Sequence, residues 1–349
     1  MISPRLGSLL APLCVALGTI SCAEDPGPQR LSEWGIFADG ATQTAVEGLV
    51  EYELRAPLFS DYSSKHRFIR LPPGETITVE DATGRLLFPE GTLIVKTFGF
   101  HEDLRDPSSP ERIVETRLLE RRDGRWLPYV YLWDETASDA TSTRIGARVP
   151  VTFTDLDGEE RTFSYRVPSV TQCGNCHGGR DDIEILGPRV EQLDRDHDYG
   201  SGPENQLEHL VSMGWLAAMP TGSRTFVDPA DETAPIDARA RSYLHANCAH
   251  CHRDGGAADQ SGLWLDIDET GESRLGFCKI PAAAGRGTGG RSVDIWPGDP
   301  DRSILMFRVE SDEPGIKMPE LPAVLVHDEG VEVLRAWIAS LPPRECAAP

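Results

Sequence analysis

Beyond its first twenty or so residues the chain has no apolar run that approaches the roughly 20 residues needed to cross a bilayer. It is also short of positive charge. Lys and Arg total 34 against 56 Asp and Glu, a formal net charge of −22. Phosphate backbones and anionic lipid heads repel such a surface, which argues against a nucleic-acid partner. A basic or zwitterionic protein is the better fit, and the acidity also keeps an exported protein soluble. Hydrophobic residues make up 39% and charged residues 26%, a globular composition and not that of a disordered chain. The length of 349 residues predicts two or three domains. Methionine (5), histidine (9) and cysteine (8) are scarce, so their positions carry weight.

The chain begins MISPRLGSLLAPLCVALGTISCAED. Arg5 precedes an apolar stretch from Leu6 to Ile20, interrupted by Pro12 and too short to span a membrane. It reads as an export signal, outside the fold. Thr19-Ile20-Ser21-Cys22 resembles a bacterial lipoprotein cleavage box, with Thr where Leu is usual. The expectation is a signal over residues 1–22, a lipid anchor on Cys22 as the only membrane attachment, and a linker over 23–30. Ordinary cleavage nearby, giving a soluble periplasmic protein, is the alternative.

Of the eight cysteines, Cys14 lies in the signal and Cys22 at the cleavage box. Cys278 and Cys346 stand apart, and the other four fall in two copies of one pattern, TQCGNCH (171–177) and ANCAHCH (246–252). Cys-x-x-Cys-His is the attachment signature of c-type haem. Two thiols must reach the two vinyl groups of one porphyrin, and the following imidazole must reach the iron from one face. A thioredoxin-like redox pair needs neither the His nor a second copy. Zinc would want four Cys/His ligands around one ion, which would require the two distant motifs to pool their cysteines. The pattern therefore predicts two covalently bound haem c groups. Cys173, Cys176, Cys248 and Cys251 are the attachment residues, and His177 and His252 the proximal ligands. His250 is a spacer expected to face solvent. In an oxidising compartment Cys278 and Cys346 tend to pair, pinning the C-terminal tail, unless they are two unrelated free thiols.

In the C-terminal part (231–349), DETAPIDARARSYLHANC carries a helix-entry signal at Pro235 and helical spacing into Cys248. HDEGVEVLRAWIASLPP puts Val331, Leu334, Ile338 and Leu341 on one helical face, with acids at its start and Pro342-Pro343 as a stop. Two such helices packing on each other is the cytochrome c arrangement. Between them GIKMPELP places Met318 before a proline, as the expected distal ligand of the second haem, with His327 as fallback. In the first haem region (169–230), Met219 before Pro220 is the distal candidate, with Met213, His209, His197 or an open iron as alternatives.

Residues 31–168 alternate β-rich runs with turns at Asp123-Gly124 and Asp157-Gly158, which suggests a β-sandwich-like domain. Its polar residues form no obvious catalytic set. His66, His101 and Asp61 could bind a metal but read as isolated surface residues. The expected fold is thus α+β and multidomain, a β-sandwich-like domain followed by two mainly α-helical cytochrome c-like haem domains.

YELRAPLFSDYSSKHRFIRLPPG, FPEGTLIVKTF, SVTQCGNCH, ENQLEHL, RSYLHANCAHCHRDGG and GIKMPELP together resemble an exported bacterial family of dihaem c-type cytochromes with a β-rich N-terminal part. The similarity runs over nearly all the mature chain. PGDPDRSILMFRV leading to KMPEL also resembles cytochrome c domains appended to larger bacterial oxidoreductases, which implies the Met318 assignment. The resemblance implies haem binding and electron transfer with a redox protein partner: a dehydrogenase, a cytochrome or an oxidase. It names no substrate. The alternative is a dihaem enzyme of peroxidase or oxidase type, which would need an open iron and acid–base groups such as His197, His209 and Glu208.

Overall fold

The computed structural model describes residues 26–80, 83–178, 183–220, 226–321 and 323–346. The signal segment and Cys22 lie outside them. In chain order, β1 (Phe37–Asp39) and β2 (Thr44–Ala45) form a ribbon, followed by β3 (Val50–Glu51) and β4 (Ser64–Arg70). A second ribbon joins β5 (Thr78–Glu80) to β6 (Arg85–Leu87). Then come β7 (Leu93–His101), β8 (Glu111–Arg122), β9 (Arg125–Trp133) and β10 (Ala140–Ser142). β10-β9-β8-β7-β4-β3 is the order of one antiparallel six-stranded sheet. β11 (Ala147–Thr154) and β12 (Glu160–Val167) form a hairpin of their own.

Alternation along the strands gives this sheet two working faces. Phe68, Leu93, Val95, Leu118 and Tyr131 bury one face under Leu31 and Ile36. Ile69 and Ile94 bury the other in a cluster with Leu193, Leu207 and Leu210, against which Leu119 and Cys173 pack. The first haem-motif region therefore shares its core with the sheet. The β8–β9 turn is the expected one: Asp123 and Gly124 both have positive φ, 52° and 72°.

In the N-terminal part the β11–β12 hairpin packs Val151, Phe153 and Tyr165 against Phe100, Val114 and Val130 of the six-stranded sheet. One expectation of fold class is corrected: the regions of the two Cys-x-x-Cys-His motifs are not two mainly α-helical domains. Between residues 169 and 230 the α-helices are α1 (Cys173–Cys176), α2 (Val190–Leu193) and α3 (Gln206–Ser212), with a ribbon of β13 (Asp196–Asp198) and β14 (Pro203–Asn205). α3 starts at Asn205, whose side chain caps the Leu207 N–H, and stops at Gly214, whose φ of 74° leaves the helical region. Further on, α4 (Ile236–Asn247), α5 (Ile304–Val309) and α6 (Asp328–Ser340) stand among long loops. The Gly- and Pro-rich stretch 276–300 between α4 and α5 supplies backbone turns, with positive φ at four glycines from Gly276 to Gly290, and cannot continue a helix.

α4 and α6 pack directly through Tyr243, Leu244, Leu334 and Trp337. Trp337 Nε1 donates to Asp237 Oδ1 at 2.8 Å. A Cβ on Gly330 would run into the Tyr243 ring, so this crossing requires glycine. The Cys278 and Cys346 sulfurs are joined, and the bridge packs with Val293 and Trp296.

Candidate functional site

Cys173 begins α1 and Cys176 ends it. An i, i+3 spacing sets both sulfurs on one side of the turn. The backbone N–H of His177 donates to the Cys173 carbonyl at 3.0 Å. His177 Nδ1 lies 2.7 Å from the Glu184 carbonyl oxygen. A carbonyl only accepts, so Nδ1 carries the proton and Nε2 keeps its lone pair for a metal. Burial lowers this histidine to about 4, so the ring is neutral at pH 7.

The second motif is built the same way. Cys248 closes α4, and its carbonyl accepts from the backbone N–H groups of Cys251 (3.1 Å) and His252 (2.9 Å). His252 Nδ1 lies 3.3 Å from Ser261 Oγ, and burial lowers this histidine too.

The two motifs, far apart in sequence, meet in space. Cys251 Sγ lies 3.7 Å from the Asn175 carbonyl, 76 positions away. The ligand atoms of Cys176, His250 and Cys251 lie within 4.8 Å of one another. His250 is thus partly buried against the sulfurs, and its expected solvent-facing place is corrected. The Cys176 thiol shares its proton with Cys251, and that hydrogen bond raises Cys176 and lowers Cys251. Glu184 ties the motifs further: its carbonyl holds His177 while its carboxylate takes Arg253 Nη2 at 2.7 Å, one residue past His252.

Met318 lines a small cavity with Tyr243 and Asn247 of α4, Lys317 and His327. Asn247 immediately precedes Cys248, but Cys248, Cys251 and His252 themselves are not among the residues that line this cavity. His327, in the same cavity, stacks on Phe59 at 4.0 Å and meets Tyr243 Oη through Nδ1 at 3.1 Å. The loop carrying Met318 is held from the sheet side. Asp61 Oδ1 accepts from the backbone N–H groups of Val324 and Leu325, both at 2.6 Å. Lys317 Nζ adds a bond to the Ala323 carbonyl.

The distal candidates of the first motif do not gather there. Met213 and Met219 are 39% and 42% exposed and belong to none of the buried clusters. His209 stacks on Tyr199 and pairs with Glu204. His197 faces Glu51. His66, His101 and Asp61 have different partners, and Asp61 is buried, not at the surface as expected. His66 pairs with Glu111, His101 meets the Ser109 carbonyl, and Asp61 holds the Met318 loop.

No family model, no curated protein and no solved structure matches the chain.

The donor chemistry fits covalent haem. Each motif offers two thiols on one turn and a half-buried imidazole, and in His177 the Glu184 carbonyl takes Nδ1 and leaves Nε2 its lone pair. A single pooled zinc site fits less well, because the Cys176–His250–Cys251 group leaves out Cys173, Cys248 and both motif-ending histidines. Glu184 and Arg253 escaped the sequence reading, and Asp61 entered it only as an isolated surface residue although it is buried. Their roles run through backbone acceptors and long-range pairs, which no local spacing signals.

Proposed function

We propose that the chain is an exported dihaem c-type cytochrome that carries electrons between a redox enzyme and a downstream acceptor. The observation that carries this reading is the pair of equally equipped Cys-x-x-Cys-His turns facing each other through Cys176 and Cys251. Haem iron supplies one-electron exchange when bound. Cys173 and Cys176 would hold one group, and Cys248 and Cys251 the other, each S–H adding across a vinyl group. His177 and His252 would hold the irons, and Met318, in the cavity beside Asn247, would be the thioether offered to the second group, favouring a higher potential than a second histidine would. The acidic surface suits a basic redox partner, and Cys22 would tether the chain to a bacterial membrane.

A second reading has an observation of its own. The exposure of Met219 and Met213, with His197 and His209 engaged by carboxylates, favours an exchangeable sixth position on the first motif. That is what a dihaem peroxidase or oxidase would need. Expression with a haem c maturation system tests both readings. Two covalent haems by mass, with spectra unmoved by carbon monoxide, support the carrier. Carbon monoxide uptake by one haem supports the enzyme. No covalent haem, with one zinc per chain, would overturn both.

A further inference from the structure

One face of the six-stranded sheet carries a row of cations. Arg67 on β4 pairs in register with Lys96 on β7, and Lys96 with Arg117 on β8. Lys65 stands two residues before Arg67, on the same face. Like charges directly opposite across strands repel, and buried charges ordinarily have partners. Among the described residues of this row, only Arg117 makes an ion pair: its Nε donates to Glu115 at 3.0 Å, and Glu115 also takes the Tyr165 hydroxyl. Lys65 Nζ donates to the Ser63 carbonyl, with Asp61 acting on it only at longer range. Lys96 has no hydrogen bond or ion pair among the described residues and sits 4.8 Å over the Phe98 ring. Arg67 is 6% exposed, and its Nε has no partner. Lys65, Lys96 and Arg117 are half-buried, and in a chain of net charge −22 such a row of cations does not follow from composition.

The strip lies beside the first motif. The charges of Lys96 and Arg117 act on His177, and that of Arg117 on Cys173 and Cys176. Apolar residues flank the strip on both sides. Ile69, Ile94 and Leu119 pack in one cluster with Cys173, and Val130, opposite Arg117, packs in another with Phe153 and Tyr165. The matching ligand has an apolar body and an anionic edge.

We propose that the row Arg67–Lys96–Arg117, with Lys65 beside it, seats the two carboxylates of the haem held by Cys173, Cys176 and His177. This rests on the dihaem reading and adds a role for the sheet. Two carboxylates supply the anions that Lys96 and Arg67 lack, and charge-assisted bonds to them are strong. A cation fixed near the iron also favours its reduced form.

The test uses haem-loaded protein. Covalent haem is counted by mass, and both midpoint potentials are followed from pH 5 to pH 9 in the wild type, Lys96→Met, Lys96→Arg and Arg67→Gln. The expected result is a downward shift of one haem's potential in Lys96→Met and in Arg67→Gln. A new pH-dependent wave should accompany it as the unpaired carboxylate titrates, while Lys96→Arg stays near the wild type. Arg67→Gln, on another strand, reads the same effect if Lys96→Met folds poorly. Two haems with unchanged potentials and pH profiles in both charge-removing variants would overturn the seat and leave the dihaem reading standing. A wild type without covalent haem would overturn both.

Discussion

Asp61 and Leu325 are joined by a 2.6 Å hydrogen bond across 264 positions of sequence, from the loop before β4 to the loop after Met318. Asp61 is fully buried, and both it and Tyr62 hold positive φ, 55° and 60°. A left-handed residue other than glycine costs roughly 1–2 kcal/mol, which this long-range pairing helps to offset. Asp61→Ala removes the acceptor of two N–H groups, and each one left unsatisfied costs about 1–3 kcal/mol. The expected result is a looser Met318 and carbon monoxide uptake by the second haem. Asp61→Asn keeps the acceptor and should take up far less. Carbon monoxide difference spectra of the two variants check this.

Gly330 lets α6 cross α4 against the Tyr243 ring. Gly330→Ala should destabilise the protein by about 1–3 kcal/mol through overpacking. Paired with Tyr243→Leu, the loss should be smaller than the two single losses added together. Urea unfolding of the four proteins measures that coupling.

The bridge between Cys278 and Cys346 closes a loop of 68 positions. Cys346→Ser should lower stability by about 2–4 kcal/mol. Reducing agent should destabilise the wild type by a similar amount and leave the variant unchanged in a thermal melt.

Burial lowers Lys65 to about 7 in the haem-free chain, against about 10.4 for a free lysine. Between those values the unfolded chain binds more protons than the folded one, so this group makes stability rise with pH from about 7 to about 10. Lys65→Met should remove that part of the slope. Urea midpoints at pH 7, 8.5 and 10 for the haem-free wild type and variant compare directly.

Local chemistry made several elements legible in the sequence. Asp123-Gly124 announces its hairpin because few other pairs tolerate positive φ twice. The Asp328–Ser340 helix follows from its acidic start and its proline stop. What stayed hidden depends on partners far along the chain. Apolar residues continue past α3 to Leu216, yet the positive φ of Gly214 ends the helix before them. His250 looks like a spacer until Cys176 is brought against it from another part of the fold. Lys96 is an ordinary strand residue until register sets Arg67 and Arg117 on either side.

The meeting of Cys176 and Cys251 has a consequence for biosynthesis. If the chain is exported, two sulfurs this close would crosslink in an oxidising compartment once the chain closed with both still thiols. On the exported dihaem reading, both cysteines must therefore be capped as thioethers before the second motif docks on the first. The order of events would then be part of how this protein is made: attachment first, closure second, with the Glu184–Arg253 pair available to latch the finished assembly.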